Sequence, residues 1–285
     1  MKKIKRAIIS VYNKKNLKKL LVCLKKFNIE VISSGGTFKE IKRLGFACEE
    51  ISSYTKSSEI LEGRVKTLHP KIHAGILNKR NSEKHKQEMK INNYGQIDLV
   101  IVNFYPFEEI LNKTKDHNRI IDNIDIGGPT MVRAAAKNYK DVTVITTETQ
   151  YDKLIKNIKI NRGKTSLEFR KKMSLEAFSE TGYYDSLISN YFCNILNENF
   201  PKKKVIGLKF LQKLRYGENP HQKASIYEFF KSLNLKKLSG KELSYNNYSD
   251  IYSALRISRS LPKNIGTAIV KHGNPCGVSM HKEKI

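Results

Sequence analysis

Short runs rich in β-branched residues alternate with helix-forming segments along the first half of the chain. RAIISV at 6–11 and IEVISS at 29–34 have the length of strands, and NLKKLLVCLKKF at 16–27 carries leucines at helical spacing. Two further apolar runs, IDLVIVNF at 97–104 and DVTVITT at 141–147, are flanked by helical patterns. Strands that alternate with helices pair mainly in parallel, with helices on both faces. The sequence therefore predicts an α/β fold.

The pattern breaks after a long helical region. Residues 148–196 have a mostly helical pattern, and NENFPKKKVIG at 197–207 then brings in Pro, Gly and a lysine run. Such a stretch is typical of a domain boundary. We therefore predict a first domain at 1–198, a linker at 199–207 and a second segment at 208–285.

The second segment has a different order of elements. LKFLQKLRYG at 208–217 predicts a strand, a short helix is expected near 249–259, and GTAIVKHGNPCG at 266–277 predicts another strand. Since no closing element follows that last strand and its turn, we expect this second domain to be incomplete.

Composition restricts the partners that we expect. The 285 residues have a net charge of +26, from 53 Lys and Arg against 27 Asp and Glu. The lysines are scattered, without a basic arm or interleaved aromatic residues, and the excess of Lys, Ile and Asn is typical of an A/T-rich coding sequence. The charge therefore indicates a solvated surface, and we expect no nucleic-acid partner.

The sequence also limits location and redox chemistry. No apolar run approaches the roughly 20 residues of a bilayer span, and the basic start lacks the features of a signal peptide. We expect a cytoplasmic protein with no membrane partner. The four cysteines, Cys23, Cys48, Cys193 and Cys276, form no CxxC pair. We predict buried thiols, with no zinc site and no disulfide.

Two motifs have the composition of an anion site. In SSGGT at 33–37, a strand ends, two glycines follow and a helix begins, so backbone N–H groups can approach a phosphate. A plain glycine turn with a Thr cap is the alternative. In GRVKTLHPKIH at 63–73, Arg64, Lys66 and Thr67 lie in a loop with no acidic residue. Arg suits phosphate, and Lys can stabilise a developing oxyanion. His69 and His73 are candidates for capping or packing.

Two further motifs carry groups suited to catalysis. NFYPFE at 103–108 ends a buried strand, which places Asn103 and Tyr105 at the edge of the sheet where ligands bind in open α/β folds. In NIDIGGPTMVRAAAKN at 123–138, Asp125 precedes a glycine turn and Lys137 follows it. A carboxylate and a lysine are suited to proton transfer. The alternative is that Asp125 caps a helix and Lys137 is solvated.

The remaining motifs, LRYGENPHQ at 214–222 and IVKHGNPCG at 269–277, place basic residues beside turns. His272 is a candidate general base there, and Lys271 could set its protonation state. A structural histidine after a strand is the alternative.

Taken in this order along the whole chain, the six motifs resemble those of a bifunctional purine-biosynthesis family. Its members combine 5-aminoimidazole-4-carboxamide ribonucleotide (AICAR) transformylase with inosine monophosphate (IMP) cyclohydrolase. The resemblance implies a methylglyoxal-synthase-like first domain followed by part of a cytidine-deaminase-like transformylase domain. It also implies purine nucleotide substrates (formyl-AICAR, IMP and AICAR), usually a homodimer, and no cofactor or metal for the cyclohydrolase.

The resemblance further implies roles for single residues of the first domain. The 5′-phosphate would be bound by Ser34, Gly35, Gly36 and Thr37. Arg64 and Thr67 would add to nucleotide binding, and Asn103 would contact the base. Lys66 and Tyr105 would stabilise the oxyanion, while Asp125 and Lys137 would handle the proton on the attacking nitrogen.

The chain departs from the family at one position. A Ser-Asp-Lys sequence usually follows the first strand, and here it is Tyr12-Asn13-Lys14. Asn13 and Lys14 remain expected ligand contacts. Either the Tyr12 hydroxyl takes the place of the serine hydroxyl, or the bulky Tyr12 ring narrows the pocket.

In the second domain the resemblance implies that Arg215 and Tyr216 bind substrate and that Lys271 and His272 form the catalytic pair. The co-substrate would be 10-formyltetrahydrofolate. We expect no formyl transfer from this chain alone, because half a site cannot preorganise a transition state. An alternative for the whole chain is a non-catalytic nucleotide-binding fragment that needs a complementary polypeptide.

Overall fold

The protein is described by a computed structural model that covers residues 1–229, 235, 237–262 and 266–280. It divides into two compact units, Met1–Ile206 (unit 1) and Gly207–Ile285 (unit 2).

Unit 1, in which every residue is described, is built on one parallel sheet. Its strands are β2 Arg6–Val11, β3 Glu30–Ser33, β4 Glu49–Glu50, β5 Leu99–Asn103 and β6 Thr143–Ile145. They are arranged in the order β4-β3-β2-β5-β6, and every neighbouring pair is parallel. A separate antiparallel pair joins β1 Lys2–Lys3 to β7 Lys164–Thr165. The predicted α/β fold with a parallel sheet is confirmed.

The central strand β2 explains why the sheet forms from this sequence. Ile8 pairs with Ile32 on one side and with Val100 on the other. Ala7, Ile8 and Ile9 are fully buried. A continuous apolar run is typical of a parallel strand that is covered on both faces.

Helices connect the strands. They are α1 Leu17–Lys26, α2 Gly35–Arg43, α3 Ile51–Thr55, α4 Pro70–Leu77, α5 Glu83–Ile91, α6 Phe107–Lys113, α7 His117–Asp122, α8 Gly127–Lys137, α9 Tyr151–Ile160 and α10 Leu167–Ile195. In α1 the leucines predicted to share one face, from Leu17 to Leu24, are all buried. This helix therefore forms because its apolar spacing matches the helical period.

The order of the strands locates the ligand crevice. The chain passes from β2 to β3 and β4 on one side of the sheet, and then crosses to β5 and β6 on the other side. The ends of β2 and β5 are neighbours, because Val11 pairs with Asn103. In open α/β sheets, ligands bind outside the carboxyl ends of the strands at such a switch point.

The long helix α10 anchors the segment that leads into α8. Its buried Arg170 donates hydrogen bonds to the carbonyls of Tyr139, Lys140 and Thr165, which satisfies the guanidinium. Further along α10, Tyr184 packs against Phe107 of α6 and other buried side chains in a small second core. The Tyr184 hydroxyl accepts a hydrogen bond of 2.8 Å from the backbone N–H of Asp125.

Unit 2 consists of two antiparallel pairs and one helix in its described residues. β8 Lys209–Lys213 pairs with β9 Ser225–Glu228, β10 Gly266–Lys271 pairs with β11 Asn274–Met280, and the helix is α11 Tyr245–Ser260. Of the described residues in this unit, only Gly217 and Ser244 are buried. Unit 2 therefore has little apolar core of its own.

The predicted single strand at 266–277 is wrong, because this stretch folds as the hairpin β10–β11. His272 and Gly273 form the turn with φ angles of 53° and 75°. Two central residues with positive φ characterise the type I′ turn, whose twist matches that of the flanking strands. The amide of Gly273 donates a 2.7 Å hydrogen bond to Asp250 of α11, which fixes the turn.

Several further expectations concern thiols, metals and membranes. Only Cys23 is buried. Cys48 and Cys193 are half-buried and Cys276 is exposed, so the prediction of four buried thiols is wrong. Within the described ranges, no cluster of three or more His, Cys, Asp or Glu side chains is placed to bind a metal ion. In the same ranges, no helix has the length and apolar character to cross a membrane.

Candidate active site

A pocket of about 560 Å³ lies at the switch point of the sheet. It brings together four of the motifs singled out in the sequence. The predicted site residues that line it are Lys14, Ser34, Gly36, Thr37, Arg64, Lys66, Thr67, Asn103, Tyr105 and Asp125.

The start of helix α2 forms one end of the pocket. The first N–H groups of a helix have no partner within it, and they carry the positive end of the helix dipole. Two ammonium groups lie close by. A Cβ built on Gly35 would lie 3.5 Å from Lys66 Nζ, and one on Gly36 would lie 3.9 Å from Lys14 Nζ. This combination of free N–H groups and two cations is suited to bind a phosphate.

Two hydroxyl groups predicted to meet that phosphate differ in their contacts. The Thr37 hydroxyl accepts a hydrogen bond from the Val11 amide at 3.0 Å and donates one to the Val11 carbonyl at 2.9 Å. Its side chain therefore joins α2 to the end of β2, and only its backbone N–H is left for a ligand. Ser34 makes no such capping hydrogen bond, although it lines the pocket.

The basic loop closes a second side of the pocket. Leu61, Glu62 and Gly63 all have positive φ, so the chain turns sharply before Arg64. The Arg64 guanidinium then pairs with Asp122 at 2.5 Å, and both side chains are exposed.

The two histidines after this loop lie in different environments. His69 caps α4, since its Nδ1 accepts a hydrogen bond of 3.1 Å from the Lys71 amide. His73 is half-buried, and burial lowers its pKa. The capping alternative therefore describes His69, whereas the buried Nε2 of His73 has no hydrogen-bond partner.

Glycines bring the loop, Asp125 and helix α8 into close contact. A Cβ on Gly127 would overlap the Thr67 hydroxyl, and a Cβ on Gly128 would overlap the Asp125 carboxylate. The Gly128 amide donates a 2.9 Å hydrogen bond to Asp125 Oδ1. The GG pair is therefore required by the close approach of two side chains rather than by a strained backbone.

The charges of three pocket residues are coupled. Burial raises the pKa of Asp125, while the Gly128 amide and the Lys66 ammonium oppose this rise. Burial also raises the pKa of Tyr105, and the nearby Asp125 carboxylate raises it further. A carboxylate that is held poorly solvated beside a cation and a phenol is suited to accept a proton from a bound ligand.

Asn103 joins the edge of the pocket to the core. Its Oδ1 accepts a 3.0 Å hydrogen bond from the backbone N–H of Asn13, and its buried Nδ2 has no hydrogen-bond partner. The Asn103 side chain lies near the buried hydroxyl of Tyr151. Burial raises the pKa of Tyr151, and the Asn103 side chain opposes this rise. The two groups form no hydrogen bond of normal geometry. The buried Nδ2 of Asn103 therefore lies toward the core at Tyr151, while other atoms of the residue line the pocket.

Two family models match this chain. The model described as "AICARFT/IMPCHase bienzyme" matches residues 135–285, and the one described as "MGS-like domain" matches residues 16–130. The chain belongs to the AICARFT/IMPCHase bienzyme family.

Curated relatives agree with this assignment. "Bifunctional purine biosynthesis protein PurH" of Aquifex aeolicus is 44% identical over 96% of this chain, and that of Clostridioides difficile is 44% identical over 98%. The protein of the same name in Caldicellulosiruptor saccharolyticus is 46% identical over 96%. The chain spans about half the length of these relatives, covering 55%, 56% and 55% of them.

A solved structure is also similar. The one described as "Crystal structure of ForH" superposes with a TM-score of 0.59 at 29% identity. The match covers 66% of this chain and 99% of that chain.

The structure does not bring Lys137 to the pocket of this family member. Asp125 precedes the first turn of α8, whereas Lys137 is the last residue of that helix and is exposed. A rise of about 1.5 Å per residue puts roughly 15 Å between the two ends of the helix. Asn13 also lies outside the pocket lining, and its side chain accepts a hydrogen bond from the Lys15 amide.

The family motifs of unit 2 lie on exposed segments. The Arg215 guanidinium stacks over the Tyr216 ring at 5.4 Å. Lys271 and His272 are exposed at the β10–β11 turn.

Two contributors to the site were missed in the sequence. Tyr184 lies 59 residues after Asp125, whose backbone it holds, and no local pattern connects the two. Asp122 directly precedes the NIDIGG motif. An acidic residue next to this site motif was a signal for a partner of the basic loop at 63–70. Its pairing with Arg64 depends on the fold.

Proposed function

We propose that unit 1 is an IMP cyclohydrolase of purine biosynthesis, which closes formyl-AICAR to IMP with loss of water. The convergence of Lys66, Tyr105 and Asp125 in one pocket beside the start of α2 carries this proposal. The chain's membership of the AICARFT/IMPCHase family supports it.

In this proposal the phosphate of the substrate orients the nucleotide. The N–H groups at the start of α2, with the ammonium group of Lys14 near them, bind the phosphate, and Lys66 is left for the reacting oxygen. Arg64 and Thr67 add contacts from the basic loop. Asn103, which lines the pocket, contacts the base.

The chemistry then follows from the charges of the pocket. The carboxamide nitrogen attacks the formyl carbon and loses a proton to Asp125. The formyl oxygen becomes an oxyanion, which accepts hydrogen bonds from Lys66 and Tyr105 and then a proton. The resulting hydroxyl leaves as water once the former formamide nitrogen gives up its proton, and the purine ring is closed. Lys137 is not needed in this scheme.

The test is an assay of the purified 285-residue chain on formyl-AICAR, followed by the absorbance of IMP. Removing one donor to an oxyanion costs about 10²–10³ in kcat, and we expect Lys66→Met to lose activity in that range. Asp125→Asn should lose at least as much. Lys18→Met is the matched control, because Lys18 is exposed on α1. Equal activity in wild type and Lys66→Met would overturn the proposal.

For unit 2 we propose a role as part of an AICAR formyltransferase domain with 10-formyltetrahydrofolate as donor. Arg215 and Tyr216 would bind the substrate, and His272 beside Lys271 would act as base. We expect no formyl transfer from this chain alone, because Arg215, Lys271 and His272 are exposed and the unit buries only two of its described residues. Formyl transfer by the purified chain would contradict this.

The exposed state of unit 2 also favours a second candidate function, a nucleotide-binding fragment that needs a complementary polypeptide. Calorimetry with IMP separates the two. A folded chain that binds IMP without turnover supports the second candidate, whereas turnover by the chain alone rules it out.

A further inference from the structure

Two tyrosines meet at the mouth of the pocket. The rings of Tyr12 and Tyr105 lie edge to face, with centroids 5.8 Å apart and an interplanar angle of 85°. Both rings line the pocket, and they are 51% and 41% exposed. Their meeting follows from the sheet, because Tyr12 directly follows Val11 and this residue is paired with Asn103, two positions before Tyr105.

We propose that Tyr12 is a positioning residue, which holds the Tyr105 ring so that its hydroxyl faces the reacting oxygen. This rests on the proposed cyclohydrolase function.

The need for such a residue is visible in the surroundings of Tyr105. Phe104, Tyr105 and Pro106 lie between β5 and α6, outside any helix or strand. Among the described residues, the Tyr105 hydroxyl has no hydrogen-bond partner that would fix the ring. Its orientation is therefore set by packing, and an edge-to-face partner is the arrangement that aromatic rings prefer.

The neighbouring ring cannot replace this contact. Phe104 packs instead against Tyr184, with centroids 5.1 Å apart. Tyr12 is thus the aromatic contact that the structure gives to Tyr105. Because Tyr12 also covers part of the ring from water, it contributes to the burial that raises the pKa of the Tyr105 phenol.

The kinetic test is a double-mutant cycle with Tyr12→Ala, Tyr105→Phe and the double variant, with Tyr12→Phe as the conservative control. We expect Tyr12→Ala to lower kcat by about 10-fold to 100-fold, the scale on which a small misplacement acts, with KM changed less than about threefold. Tyr12→Phe should keep activity within about twofold, since it keeps the ring. In the Tyr105→Phe background, Tyr12→Ala should cost almost nothing further.

A second readout does not depend on turnover. The ¹³Cζ NMR signal of Tyr105 is assigned with Tyr105→Phe and followed against pH. In Tyr12→Ala we expect this phenol to titrate at a lower pH than in wild type and Tyr12→Phe, because water reaches the ring. If wild type shows no turnover at all, the cyclohydrolase proposal fails, and this titration alone decides the role of Tyr12.

Three outcomes would overturn the proposal. The first is an unchanged Tyr105 signal and titration in Tyr12→Ala. The second is equal loss of kcat in Tyr12→Phe and Tyr12→Ala, which would make the Tyr12 hydroxyl itself the functional group. The third is a full additional loss from Tyr12→Ala in the Tyr105→Phe background, which would mean that Tyr12 acts independently of Tyr105.

Discussion

Replacing Thr37 by valine separates a structural role of its hydroxyl from a ligand-binding role of its backbone N–H. Valine has nearly the same shape but lacks the hydroxyl that bonds to both the N–H and the carbonyl of Val11. Both partners lie at the end of β2 with Val11 itself buried. The backbone N–H of residue 37, which belongs to the proposed phosphate site, is unchanged by the substitution.

The expected cost is one of stability. A buried polar group left without a partner costs about 1–3 kcal/mol, so two such groups cost about 2–4 kcal/mol once partial relaxation is allowed for. In a unit of this size each kcal/mol shifts Tm by about 2–4 °C. We therefore expect Thr37→Val to melt roughly 4–16 °C below wild type, with IMP affinity within about threefold of wild type.

The assay is thermal unfolding followed by circular dichroism, paired with calorimetric titration of IMP. Ser34→Ala is the matched control, because Ser34 lines the pocket without capping α2. It should keep its Tm and lose about 2-fold to 10-fold in affinity, the effect of one hydrogen bond. A Thr37→Val protein with the Tm of wild type and tenfold weaker IMP binding would refute the reasoning.

Three further predictions follow from the same site. Asp122→Asn should tighten IMP binding by about twofold to fivefold by releasing Arg64, since an exposed ion pair is worth up to about 1 kcal/mol; equal Kd values in calorimetry would refute this. Asp125→Asn should raise Tm at pH 7, because burial raises the pKa of this carboxyl and its charged form destabilises the fold. That gain should vanish below about pH 4, where the carboxyl is protonated in both states, and a Tm difference independent of pH would contradict it. Lys137→Ala should keep kcat within about threefold, because Lys137 lies at the far end of α8; loss of turnover in a folded variant would show that the lysine reaches the site.

Much of unit 1 could be predicted because its elements obey local rules. The leucine spacing of α1 and the β-branched runs of β2 and β5 set their own structure, and the glycine motifs then fall at the ends of strands. A parallel sheet gathers such ends at one edge, so the assembly of the pocket follows from the fold class.

The structure adds most where a residue's direction or partner decides its role. Asp125 and Lys137 are close in the motif, but a helix carries the chain away from its start by its full length. The Thr37 hydroxyl faces the end of β2 instead of the pocket, which no pattern of residue types records. A turn was expected in IVKHGNPCG, but the return strand β11 was missed because His272 at positive φ leaves no clear signal in sequence for a two-residue hairpin turn.

The two-stranded ribbons of unit 2 have a consequence for how the protein behaves in solution. All seven residues of β11 are exposed, and its outer edge pairs with no other described strand. Open edges of this kind invite pairing between chains, although Pro275 in β11 lacks the N–H that such pairing requires. The net charge of +26 opposes close approach of two chains. Because salt screens that repulsion, we expect self-association to increase with ionic strength. The lysines scattered outside the pocket would then act to keep chains apart.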